Sequence, residues 1–131
     1  MRLLLDTHTL IWHSDGDAKM SATATALLTD PANELLLSMA SVWEMAIKLG
    51  IGKLPLNAPL DVFLETAIRG YQLTVLPITL DDCLEYVALP FPDPSHRDPF
   101  DRMLIVHARR NALSIVGADV AFDSYAVTRL W

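Results

Sequence analysis

Leu3, Leu4 and Leu5 form an unbroken apolar run behind Arg2, and the character changes abruptly at Asp6, Thr7, His8 and Thr9 before Leu10, Ile11 and Trp12. Too short for a helix and apolar at every position, the run predicts a strand buried on both faces inside a parallel sheet. Leu10 to Trp12 predict the start of a helix, with Thr7 as its cap. Asp6 then falls at the carboxyl edge of a central strand, where ligands bind in open α/β sheets. Asp is also a common helix cap, so it has a second reading there.

The same alternation continues along the chain. Asp15, Gly16 and Asp17 break the first helix. Ser21 caps a second one carrying Ala22, Ala24, Ala26, Leu27 and Leu28, and Asp30 and Pro31 stop it. Residues 34–38 predict a second buried strand, followed at once by a helix over 39–49 that Gly50 and Gly52 end. A loop over 54–60 leads to a helix over 60–69, a short strand over 73–76, and a helix opened by Thr79 that runs through Cys83, Leu84 and Val87. The proline-rich stretch 90–99 holds Ser95, His96, Arg97 and Asp98 and predicts a stiff loop. Residues 100–112 are nearly continuously apolar and predict a helix packed on more than one side. A fourth strand spans 113–116, and the alternating tail 126–131 predicts an edge strand. Strands separated by helices throughout mean an α/β domain with a central parallel sheet and right-handed crossovers, one domain over 1–131.

Composition narrows the function classes. Hydrophobic residues make up 52% of the 131 and mean hydropathy is +0.30, yet no run approaches the ~18 apolar residues of a membrane span. No basic, apolar leader interrupts this pattern, so a cytoplasmic protein without membrane attachment is expected. The single cysteine, Cys83, has no internal partner and is expected to be a small core or semi-buried residue. A net charge of -6 argues against a generic nucleic-acid binder. It does not exclude an enzyme whose acids hold metal ions, because a bound cation inverts the local field.

Three further acids, Glu44, Asp101 and Asp119, share the placement of Asp6 just past a strand or in the first turn of a helix. Glu44 follows Ser41 by three residues and Asp101 follows Asp98 by three, so each fits a capping box, with Asp98 read as the cap of its helix. As a group they fit another role, since helix N-termini after parallel strands converge on one sheet edge. At ~6 Å and an effective dielectric of about 20, each ionised pair costs roughly 3 kcal/mol, so a cation must offset the repulsion. All-oxygen ligands suit Mg²⁺ or Mn²⁺, ions that activate water and stabilise the leaving oxygen in phosphodiester cleavage. His8, His13, His96 and His107 lack the spacing of a zinc site. Lys48, one turn after Glu44, reads either as a phosphate contact or as an ordinary i,i+4 partner. Arg97 and Arg102 are further candidates for phosphate contacts, and Arg109 and Arg110 read as a solvated helix end.

At these residues the chain resembles a known family. LLLDTHTLIW, SMASVWEMAIKLGIGKL, HRDPFDRMLIVHA and LSIVGADVAF, taken in order, are similar to the signature blocks of PIN-domain proteins, in particular VapC-type toxins of bacterial toxin–antitoxin pairs. The resemblance implies a three-layer α/β/α PIN-like domain that cleaves RNA with Mg²⁺ or Mn²⁺, forms a homodimer and is silenced by a VapB-like antitoxin. It also implies that Asp6, Asp101 and Glu44 hold the main metal and that Asp119 completes that site or a second one. Asp98 falls in the same block as an auxiliary acid. The chain departs from the pattern at Gly117, where the family often carries a hydroxyl residue that could support metal or phosphate.

Two other readings compete. A haloacid-dehalogenase-like phosphatase also places an Asp after its first strand and uses Mg²⁺, but needs an acid two residues on, where this chain has His8. A catalytically inert module would keep the fold and bind only a partner or RNA; all four acids are present, which argues against it.

Overall fold

Leucines that face opposite ways along one strand need cover on both sides, and the computed structural model, which describes residues 1–131, supplies it. Strands β1 (Arg2–Leu5), β2 (Glu34–Ser38), β3 (Thr74–Leu76), β4 (Ser114–Val116) and β5 (Arg129–Leu130) form one sheet in the order β3-β2-β1-β4-β5, every pair parallel. Leu4, Leu36 and Ile115 point into one core with Leu104, Ile105 and Ala108 of helix α6 (Pro99–Asn111) and with Phe122 from a 3₁₀ turn over Val120–Ser124. Leu3, Leu5, Leu35, Leu37 and Val116 point into the other. There they meet Leu10 and Ile11 of α1 (Thr7–Asp15), Ala24 and Leu28 of α2 (Ala22–Thr29) and Ala67 of α4 (Leu60–Gly70). Helix α3 (Met39–Gly50) gives Ala40 to the first core and Met45 to the second. Burying each leucine side chain contributes about 1.5–3 kcal/mol, so these two cores dominate the stability of the α/β/α arrangement.

The chain leaves β1 in one direction through β2 to β3, then returns through α5 (Leu80–Ala88) and α6 to place β4 on the other side of β1. The strand order therefore reverses between β1 and β4, and a crevice opens beyond their carboxyl ends. The two ends are close. The Asp6 amide donates to Val116 O at 3.0 Å, and a Cβ at Gly117 would lie 3.0 Å from the Asp6 Cβ. Glycine here lets the backbone following β4 pass against Asp6.

Several local expectations shift. Thr7 is not the cap of α1; Asp6 is, its Oδ1 accepting from the Thr7 amide at 2.8 Å. Helix α3 starts directly after β2 with Ser38 as cap, which moves Ser41 and Glu44 inside the helix and out of any capping box. The full box belongs to Thr79 and Asp82 at the start of α5. The tail strand shrinks to two residues because the chain bends at 125–127, where the Val127 amide donates to Tyr125 O at 2.8 Å instead of entering the ladder.

Helix α5 turns apolar residues outward: Leu80, Leu84 and Val87 are 76%, 61% and 83% exposed, and Cys83 beside them is exposed rather than in the core. Its polar side docks on α6, where buried Asp82 Oδ2 lies 3.0 Å from His107 Nε2 and Oδ1 accepts from Arg110. Burial opposes the Asp82 charge, but the Thr79 amide, Arg110, the Thr79 hydroxyl and His107 outweigh it and hold the carboxyl at about 2. Arg110 is thus an interhelix anchor, whereas Arg109 is exposed as expected. No helix is long and apolar enough to cross a membrane.

Candidate active site at the β1/β4 switch point

The crevice is a cleft of ≈ 390 Å³ lined by Asp6, Glu44, Asp98, Asp101, Asp119 and Lys48, with His8, Trp12 and Ala118 completing the wall. The five acids arrive from four different elements. Asp6 ends β1, Glu44 projects from the second turn of α3, Asp98 and Asp101 open α6, and Asp119 caps the 3₁₀ turn after β4. The four sequence-selected acids do meet, together with Lys48 and Asp98.

Asp6 is 6% exposed and Glu44 5%. Burial first, then the neighbouring charge of Asp101, pushes the Asp6 carboxyl up to about 7; the Thr7 amide pulls it down only in part, and Glu44 and Asp119 add to the rise. Asp101 is pushed up to about 6, again by burial first, with Asp98 and Asp119 raising it against the hydrogen bond and charge of His96. Glu44 Oε1 accepts from the Thr7 hydroxyl at 2.7 Å, while Thr7 Oγ1 sits 2.8 Å from the Ser41 hydroxyl. Its Oε2 pairs with Lys48. Burial opposes the Lys48 charge, yet the bond to Glu44 and the fields of Glu44, Asp98 and Asp101 hold its pKa above the ordinary value. Lys48 is therefore both an i,i+4 partner and a cation in the cleft.

The acids are engaged one by one, and no three His, Cys, Asp or Glu side chains close into a metal-ligand set in this conformation. Asp6 Oδ1 faces the Thr7 amide, Asp101 Oδ2 lies 3.0 Å from His96 Nε2, and Asp119 Oδ1 accepts from the Ala121 amide at 2.9 Å. The other oxygen of each, Asp6 Oδ2, Asp101 Oδ1 and Asp119 Oδ2, has no protein donor. Three free carboxylate oxygens around a cleft in which burial and acidic neighbours push Asp6 and Asp101 up are a donor set suited to a hard divalent cation. The residues present therefore fit such an ion.

Asp98 caps α6, its Oδ1 accepting from the amides of Phe100 and Asp101 at 2.9 Å each. Asp101 does not complete that box, because its side chain turns to His96. Arg102 is a correction. Only 1% exposed, it cannot meet a phosphate in the cleft: Nη1 donates to Pro90 O and Nη2 to Leu89 O, each at 2.9 Å, and the guanidinium lies 3.6 Å from the Phe91 ring centroid. It fastens the proline-rich segment to α6. Arg102→Met would strand two carbonyls at ~1–3 kcal/mol each, so the expected loss is about 3 kcal/mol, read as a lowered urea midpoint. An unchanged midpoint would return Arg102 to a role outside the fold. Arg97 is exposed, lies 4.7 Å over the Phe91 ring and does not line the cleft.

Sequence reasoning missed Thr7, Ser41, His96 and Tyr125 as parts of the site. Only the first two left a signal, as hydroxyls following Asp6 and preceding Glu44 by three.

Comparison with known proteins places this architecture. The sequence matches the PIN domain family over residues 3–127, so the chain belongs to the PIN domain family. Among solved structures it is similar to VapBC2 of Rickettsia felis bound to a DNA fragment from its promoter, at 14% identity over 99% of this chain and 98% of that one, with a TM-score of 0.71. VapC20 of Mycobacterium tuberculosis, a sarcin-ricin loop cleaving toxin, matches at 16% identity over 96% of each chain with a TM-score of 0.69. VapBC-1 of nontypeable Haemophilus influenzae matches at 18% identity over 99% and 97%, also at 0.69. No curated protein matches the sequence.

Proposed function

We propose that this chain, acting as one domain over 1–131, is a VapC-type endoribonuclease toxin that cleaves RNA with Mg²⁺ or Mn²⁺. The observation that carries the reading is the meeting of Asp6, Glu44, Asp101 and Asp119 in one cleft at the switch point, with Asp6 and Asp101 held above the ordinary carboxylate range. Asp6, Asp101 and Asp119 offer free oxygens to the ion, and Glu44 joins them once Lys48 turns to the substrate. When bound, the ion supplies Lewis-acid stabilisation of a phosphodiester and lowers the pKa of water at neutral pH. Lys48 then orients a phosphate oxygen, Arg97 meets the strand outside the cleft, and Asp98 adds negative charge at the rim while keeping α6 capped. PIN-family membership and the similarity to VapC20 of Mycobacterium tuberculosis, a sarcin-ricin loop cleaving toxin, support RNA as substrate. His8, exposed where a dehalogenase-like phosphatase would place its acid, counts against that alternative.

The test is cleavage of a structured RNA by purified protein. Activity with Mg²⁺ or Mn²⁺ and none in EDTA is expected; full activity in EDTA would remove the metal, and none under any condition would favour an inert binding module.

The VapBC complexes among the structural relatives support a VapB-like antitoxin as partner, and the proposed toxin is a homodimer that acts in the cytoplasm. Trp43 and Ile47 of α3 and Ile51 at its C-cap expose an apolar stripe at helical spacing, 59%, 39% and 60% open. Hydrogen exchange of residues 43–60 is expected to slow when antitoxin is bound, because a partner that covers this stripe also shields the backbone beneath it. Unaltered exchange there would place the antitoxin elsewhere.

A further inference from the structure

His96 lies in the proline-rich segment before α6 and is assigned nothing by the function above. Its side chain is nearly enclosed and bridges two residues: Nε2 is 3.0 Å from Asp101 Oδ2, and Nδ1 is 3.0 Å from the Tyr125 hydroxyl. Tyr125, itself buried, accepts at that hydroxyl from Arg102 Nη1 at 3.3 Å. The direction of each bond follows from the groups. A guanidinium only donates, so the Tyr125 oxygen receives its hydrogen and the Tyr125 hydroxyl proton is free to point at Nδ1. An ionised carboxylate only accepts, so Nε2 carries the hydrogen given to Asp101. One neutral tautomer satisfies every bond in the chain from Arg102 through Tyr125 and His96 to Asp101.

We infer that His96 is a positioning residue for Asp101: held by Tyr125, it takes Oδ2 into a hydrogen bond, fixes the carboxylate plane and leaves Oδ1 as the one oxygen turned to a divalent cation. The same contact explains why Asp101 does not close the capping box with Asp98. Without it, the side chain is free to swing back to the start of its own helix, as an N3 acid does. Partners behind a metal ligand commonly change affinity by 10–100-fold when removed, because the ligand loses its preset orientation. The inference rests on the metal-binding reading of the cleft, and the measurements separate the two.

The probe is Mn²⁺ alone, its free concentration followed by electron paramagnetic resonance against the full-length protein. His96→Ala is expected to weaken Mn²⁺ binding about 10–100-fold. His96→Gln, whose amide nitrogen reaches the place of Nε2, is expected to restore most of that loss, and Tyr125→Phe to show a smaller loss in the same direction. Equal affinity of parent and His96→Ala, or a Gln variant as weak as Ala, would overturn the assignment. Should His96→Ala fail to fold, Tyr125→Phe and the Gln variant still decide. Long-range ¹⁵N–¹H spectra of the metal-free parent supply a readout that needs no ion: His96 is expected as the Nε2–H tautomer, and an Nδ1–H tautomer would overturn the inference. A parent that binds no Mn²⁺ would defeat the metal reading instead, while the spectrum still reports on His96.

Discussion

Asp101→Asn is expected to melt at or above the parent's temperature in EDTA while cleaving RNA at least about 1000-fold more slowly with Mg²⁺. Asn keeps the shape of Asp and still accepts from His96, and the Asp98 cap bonds to the residue 101 backbone amide, which the substitution leaves in place. The charge it removes is one that burial and acidic neighbours disfavour, so the metal-free fold has nothing to lose. Activity has much to lose. A metal ligand that contributes several kcal/mol to a developing phosphodiester charge is worth about three orders of magnitude in rate at 1.36 kcal/mol per decade. Single-turnover cleavage and a thermal melt of the same preparation check both halves. A variant of near-parent activity would mean that Asp101 only tethers His96.

Asp6→Asn carries the second large effect, on stability. Asp6 both caps α1 and sits in the acidic cleft, so loss of a cap and relief of repulsion act on the same residue. Asn also caps well, and exchanging it for Asp costs little there. The folded carboxyl lies at about 7 against an ordinary 3.8, so the folded state binds more protons than the unfolded chain between those values. Metal-free stability therefore falls as pH rises from about 4 to about 7, and the whole penalty is present above that. A shift of about three units corresponds to about 4 kcal/mol before solvent relaxation; half of it would raise the melting temperature of Asp6→Asn by on the order of 5 °C. The parent in EDTA is expected to melt higher at about pH 5 than at about pH 8, and the variant to show a flatter profile. Mg²⁺ at about 100 times its dissociation constant adds roughly 2.7 kcal/mol to the parent and much less to the variant. A variant that melts lower at about pH 8, beside a parent indifferent to Mg²⁺, would leave Asp6 as a cap alone.

Both acids could be chosen from the sequence because their placement depends on short-range features: an apolar run that must be a buried strand, and the residue that follows it. The parallel sheet was legible for the same reason, in Leu3–Leu5 and Leu35–Leu37. Glu44 was found by its position but misread in its local role. The spacing from Ser41 fits a capping box, yet the helix begins at Met39 as expected with Ser38 as its cap, which puts Glu44 in the second turn rather than at N3. Apolar spacing at Leu80, Leu84 and Val87 located α5 without saying which way it faces, since a helix that docks by Asp82, His107 and Arg110 has the same periodicity as one that docks by its leucines. Arg102 and His96 lie beside Asp101 in the chain and look alike as polar candidates. Their different fates depend on Leu89, Pro90, Phe91 and Tyr125, contacts that no local pattern encodes.

The central position of β1 bears on how the protein is made. β1 is synthesised well before β4, and its edge toward β4 stays unpaired until residues 114–116 have been added. A chain halted before that point carries Asp6 and Glu44 without Asp119, and it displays a strand of three consecutive leucines with one open ladder. Such a fragment has no assembled cleft, and its bare edge favours aggregation and attack by proteases. Because the first acid waits on a strand that follows α6, translation itself withholds the proposed RNA-cutting centre until β4 and Asp119 have both been added.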